Sequence, residues 1–309
     1  MARPQIVIAL DPERVSSEAI ELGHELGVAT GAPLGLVAVW RWWEPVELAT
    51  IAGESLRAEA DHVLHAVADR LRSRGHDVET RVVSAASVGA GLHDAGRRGR
   101  TGLIVIGPSH QGAVGRVLVG TTAAGFMHGA PCPVAVASRA YRDPERTLRR
   151  IGVAYVETED GQEALRGAAA LARRTGAQLR VLTVAESGVP PESLIMPGYG
   201  VDELLAERHA AAERIAAGAV ANVPEDVDVE PVVLDGDPVS VLATASSELD
   251  LLVCGSRGYG PLGTVLLGSV SKRLLSRAAA PLLVIPRGRE RRLESLLEDG
   301  STAGLRAEA

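Results

Sequence analysis

The chain has 309 residues, 46% of them hydrophobic and only 3% aromatic, with two cysteines and a net charge of −7. That length suits about two domains. An acidic balance without a basic block argues against nucleic acid as a main partner, two cysteines cannot build a disulfide framework, and no stretch approaches the ~20 apolar residues of a membrane span.

Residues 5–10 read as a first strand. Its apolar run ends at Asp11, too soon for a signal peptide, and together with the cysteine usage this points to the cytoplasm. Ser16 or Ser17 can cap a helix that runs to Thr30 and stops at Gly31. A second strand spans 33–40, and a loop carrying Trp40, Trp42 and Trp43 follows. A helix over 53–74, a strand over 78–83, a helix over 88–98 and a strand over 103–106 continue the alternation. Then come a loop over 107–119, a helix over 120–128 and a last strand over 134–137. With so few aromatics, the cores must be built from Val, Leu, Ile and Ala, as in parallel sheets covered by helices.

The pattern then restarts. Residues 150–155 mirror 5–10, and Glu163-Ala164-Leu165 answers Glu18-Ala19-Ile20. Residues 178–184 answer the second strand, 190–199 form a Pro- and Gly-rich loop, 201–220 a helix and 229–234 a strand. Gly236-Asp237-Pro238 opens the next helix. Ala280-Pro281-Leu282-Leu283-Val284-Ile285 matches Ala130-Pro131-Cys132-Pro133-Val134-Ala135. A period near half the chain marks a duplicated domain, at 1–147 and 148–288. Residues 289–309 are charged, then small and polar, and read as a frayed helix and a disordered tail.

The most informative stretch lies in the second half. The apolar run 249–254 leads into Gly255, and Gly258 and Gly268-Ser269-Val270-Ser271 follow. This is a strand, a glycine loop and a helix start. Glycine permits close approach of a ligand, and free N–H groups at a helix start favour an anion. The hydroxyls of Ser269 and Ser271 add donors, so the whole is a candidate phosphate cradle. A tight connection with no ligand is the competing reading.

The spacing G-x2-G-x9-G-S, followed by Val-Ser, resembles the nucleotide motif of the ATP-binding universal stress proteins. The likeness covers both halves and is of the tandem, actinobacterial type. It implies an α/β fold of two open five-stranded parallel sheets in the order 3-2-1-4-5. Helices would cover both faces, as in Rossmann-like and adenine nucleotide alpha hydrolase-like folds. It also implies an ATP-binding regulatory protein, with magnesium as a companion ion, and catalysis limited at most to slow ATP hydrolysis or self-phosphorylation. Ser269 or Ser271 would then be the acceptor. Val184, at the end of the second strand, matches a position that packs on adenine in the family. The fifth strands, each an association hazard if unpaired, are expected to pair with each other as an intramolecular pseudo-dimer. A homodimer is compatible with the same logic.

The halves depart from the family motif in complementary ways. The first ends its leading strand in Asp11, where an aspartate faces the nucleoside in ATP-binding relatives; a turn or cap residue is the equal alternative. Gly107, Gly120 and Thr121 survive there, but His110 and Ala123 interrupt the glycine and hydroxyl pattern. The second half has the intact loop, with Val156 in the aspartate position. Glu157 or Asp160 could substitute for it, and neither is selected from sequence. The better phosphate site is therefore expected in the second half. A nucleotide-free scaffold that acts on partners by contact is the alternative function.

Other motif matches fail on context. Gly258-Tyr259-Gly260-Pro261-Leu262-Gly263 fits a dinucleotide fingerprint but opens no helix and lacks the acidic residue about 20 positions on. Ser269-Val270-Ser271-Lys272 fits the S-x-x-K of penicillin-interacting enzymes, but the chain has no other lysine for a K-T-G element. His62 and His65 lie on one helix face without a third ligand, which is a solvated face rather than a metal site.

Overall fold

Among the described residues, ten strands join in one sheet. The computed structural model describes residues 3–41, 49–98, 100–108, 125–127, 129–139, 141, 147–188, 200–256 and 268–298. The first half supplies β1 (Gln5–Leu10), β2 (Leu34–Arg41), β3 (Val78–Ala85), β4 (Thr101–Ile106) and β5 (Val134–Val136). The second supplies β6 (Arg150–Ala154), β7 (Gln178–Ala185), β8 (Val229–Asp235), β9 (Leu251–Gly255) and β10 (Leu282–Ile285). The order is β3-β2-β1-β4-β5-β10-β9-β6-β7-β8. Each half thus reads 3-2-1-4-5 with parallel pairing inside it. The fifth strands meet antiparallel, Leu282 opposite Val136 and Val284 opposite Val134. The two sheets expected from the duplication are therefore one continuous sheet, and neither fifth strand is an open edge.

Helices alternate with the strands: α1 (Ser17–Thr30), α2 (Ala49–Ser73), α3 (Val88–Arg97), α4 (Glu159–Thr175), α5 (Val201–Val220), α6 (Pro238–Ala245), α7 (Ser269–Leu274) and α8 (Glu290–Glu298). Their ends follow local chemistry. Ser16, Ser87, Thr158 and Asp237 each accept the N–H three residues on, at 3.0–3.2 Å. Such caps contribute about 1 kcal/mol each. Gly31 and Gly176 close α1 and α4 at φ 63° and 69°, the left-handed conformation glycine tolerates best.

Strand alternation sorts the core. Ile6, Ile8 and Leu10 of β1 face one hydrophobic cluster, and Val7 faces the other. The first cluster lies under α1, α2, α4, α5 and α8, and the second under α3, α6 and α7. Each cluster takes residues from both halves, so the core is shared across the β5–β10 seam.

The C-terminal segment differs from the expected fray. Residues 290–298 form α8, which packs on α4 of the second half and on β4 of the first. Leu293, Leu296 and Leu297 are buried at i, i+3 and i+4 spacing. Each contributes roughly 1.5–3 kcal/mol of gross burial, which holds a nine-residue helix that would be marginal alone. A Cβ on Gly102 would stand 2.4 Å from Leu296 Cγ, so β4 meets this helix only because residue 102 is glycine. Among the described residues no helix is long and apolar enough to cross a membrane.

Candidate functional site

The organising feature is a cleft at the carboxyl ends of β6, β7 and β9. Between β6 and β9 the strand order changes direction, which is where open α/β sheets leave a crevice. It encloses about 110 Å³, far beyond the ~10–15 Å³ that one water needs. Ala154, Val156, Leu182, Val184, Leu242, Cys254 and Leu274 make its apolar wall. Polar groups come from Thr158, Asp160, Glu186 and Ser271.

Five residues singled out from sequence meet here: Val184, Gly255, Gly268, Val270 and Ser271. Val156 also lines the cleft and is 41% exposed, so an apolar side chain stands where the motif has a carboxylate. Ser269 is exposed at the first turn of α7. Gly258 lies outside the described residues, as do Gly120, Thr121, His110 and Ala123 of the first half and Trp42 and Trp43.

The geometry assigns several of these residues definite work. Ser271 is buried and its hydroxyl donates to the Gly255 carbonyl at 3.0 Å. Its proton is committed to joining α7 to the end of β9. Gly255 carries a tight contact, because a Cβ there would stand 2.5 Å from the Asp160 carbonyl oxygen. Gly107 plays the matching part in the first half, where a Cβ would stand 2.6 Å from Ser16 Oγ. Both glycines let the end of a fourth strand lie against the start of a first helix. Gly268 differs. Its φ of −58° is open to any residue, so backbone freedom does not explain the glycine. It begins α7 without a side-chain cap.

Asp11 is exposed and acts in a turn. Its Oδ1 accepts the Glu13 N–H at 3.1 Å and its carbonyl accepts the Arg14 N–H at 3.0 Å.

Asp160 is the site residue that spacing did not select. α4 has 17 residues against 14 in α1, and the bodies of the two helices align at equal distance from their strands. The additional turn of α4 is at its N-terminus, and it brings Asp160, 8% exposed, to the cleft wall. Its carboxylate lies 3.7 Å from Arg287 Nε. The signal available was Thr158, an N-cap threonine with acidic residues in the next two positions.

Cys254 is buried at the end of β9. Burial pushes its thiol up to about 12, against a smaller lowering by the Ser271 hydroxyl. The hydroxyl of Tyr155 is also held above its ordinary value, first by burial and then by Glu157. At the rim, Asp237 is lowered by hydrogen bonds from Ser240 and then by Arg273 and Arg277. No group of three metal-ligating side chains that could hold an ion occurs among the described residues.

Residues 3–138 and 147–286 each match the Universal stress protein family. The chain is 30% identical over 240 residues to a universal stress protein of Mycobacterium tuberculosis, covering 76% of this chain and 80% of that protein. It is 28% identical over 291 residues to one of Mycolicibacterium smegmatis, covering 91% and 96%. Among solved structures, a universal stress protein from Archaeoglobus fulgidus superposes with a TM-score of 0.67 at 21% identity, covering 92% of this chain and 98% of that one.

Proposed function

The chain belongs to the universal stress protein family, and from that premise we propose that it is a cytoplasmic, ATP-binding regulator of the stress response. Its nucleotide site is the cleft of the second half. The observation that carries this reading is the convergence of Val184, Gly255, Gly268, Val270 and Ser271 on one cavity at the switch point of the sheet. In this reading the base packs on Val184 and Val156, and the phosphates approach Gly268 and the exposed Ser269, with magnesium. The first half binds weakly or not at all, since Asp11 serves a turn. If any phosphate is transferred to the protein, Ser269 is the better acceptor, because the Ser271 hydroxyl is already donating. The β5–β10 pairing supports an intramolecular pseudo-dimer, and a homodimer of whole chains is compatible with it.

Two observations favour the other reading, a scaffold that needs no nucleotide. Gly255 and Ser271 both have structural work that would demand them in an empty site. The deciding experiment is chromatography of nucleotide released from the denatured, freshly purified protein, followed by titration with ATP and magnesium. Near-stoichiometric adenine nucleotide, or saturable binding that Gly268→Leu removes, is the expected result. Absence of both, or binding untouched by Gly268→Leu, rejects ATP at this cleft and leaves the scaffold.

A further inference from the structure

We propose that α8 is a strap whose docking is coupled to occupancy of the cleft through Arg287; this rests on the cleft being a ligand site. The wall of the cleft and the root of α8 share one polar network. Asp160 lines the cleft and faces Arg287 Nε at 3.7 Å. The Arg287 guanidinium also pairs with Glu159, the residue before it. The backbone N–H of Arg287 donates to Ser256 Oγ at 3.3 Å, and Ser256 directly follows the cleft residue Gly255. The next N–H, of Gly288, donates to the Glu163 carboxylate at 3.1 and 3.3 Å. Gly288 takes φ 68°, so the chain turns there into α8.

Arg287 therefore bridges the two pieces of backbone that a ligand would touch, the start of α4 and the end of β9. Filling the cleft restrains both pieces and lowers the entropy still to be lost when Arg287 engages them. An anionic ligand adds a second effect of the same sign. It raises the local negative potential at Asp160, so the positive charge of Arg287 becomes worth more. Both effects make cleft occupancy favour the docked strap. Linkage is reciprocal, so a docked strap favours the ligand by the same factor. Arg287 is half exposed, so the coupling falls in the range of surface ion pairs, about two- to fivefold in affinity. The consequence reaches beyond the cleft, because α8 lies over β4 of the first half as well as α4. Nucleotide state in one half is thereby read at the seam between the halves.

The test is hydrogen exchange of the backbone amides of 286–298 in the full chain, read by mass spectrometry, without and with Mg-ATP as the probe. In the native chain, saturating Mg-ATP should slow this exchange. Arg287→Ala should speed it in the ligand-free protein, reduce the response to Mg-ATP, and weaken Mg-ATP binding about two- to fivefold. Asp160→Asn should also speed ligand-free exchange. Binding of Mg-ATP with unchanged exchange of 286–298 overturns the strap while leaving the nucleotide site intact. If Mg-ATP does not bind, the site assignment fails separately, and so does a coupling to ATP. Unchanged ligand-free exchange in both variants overturns the tether whatever ATP does.

Discussion

Replacing Gly255 with alanine separates a packing glycine from a ligand-contact glycine. The added Cβ would stand 2.5 Å from the Asp160 carbonyl oxygen, 2.9 Å from its carbonyl carbon and 3.1 Å from its Cβ. Two of these atoms belong to backbone, which cannot rotate away as a side-chain tip can. The first turn of α4 must retreat about 0.5 Å to restore 3.0 Å, and Thr158 caps that turn while Ser271 holds the Gly255 carbonyl from the other side. Overpacking of this kind costs roughly 1–3 kcal/mol, or about 2–5 °C in Tm for a chain of this size. The assay is thermal unfolding of ligand-free protein by circular dichroism. A Tm within 1 °C of the native value would refute the packing argument and return Gly255 to a purely ligand-facing role.

The remaining predictions concern the histidine pair, the strap and the two serines. His24 Nδ1 and His76 Nε2 are 2.6 Å apart, and burial, then Arg74, lowers both from 6.5, His24 to about 4. Because the folded state prefers them neutral, their contribution is full above pH 6.5 and is lost as pH falls from 6.5 toward 4. Tm should therefore drop across that window in the native chain and less steeply in His24→Gln; equal slopes would contradict the assignment. Leu296→Ala should cost about 2 kcal/mol, the low end for a buried leucine because a terminal helix can settle over the gap, as read by urea unfolding. Ser271→Ala should cost roughly 0.5–1.5 kcal/mol by losing the bond to Gly255. Ser269→Ala, at an exposed site, should stay within about 0.5 kcal/mol in the same assay, and a reversed ranking would contradict the roles given to the two hydroxyls.

Much of this architecture could be read from residue order alone. The apolar run of residues 5–10, the stop at Gly31 and the matched Ala-Pro runs before β5 and β10 are local patterns. Local patterns survive in sequence because each depends on residues a few positions apart. The duplicated α/β fold and the convergence near the glycine stretch were legible for that reason. The role of Asp160 was not, because it depends on where the additional turn of α4 begins relative to β9, more than 90 residues away. The packing work of Gly255 was not legible either, because it shows only where the Asp160 carbonyl approaches. The C-terminal helix was expected, but frayed and undocked, because its charges dominate its composition, while its three leucines gain value only against a surface that β4 and α4 build together. Sequence determined which segments are strands and helices and how often the pattern repeats. Tertiary structure alone decided which glycines carry contacts, which hydroxyl is buried and bonded, and how the C-terminal helix docks on both halves, because those depend on distances between segments that no local pattern encodes.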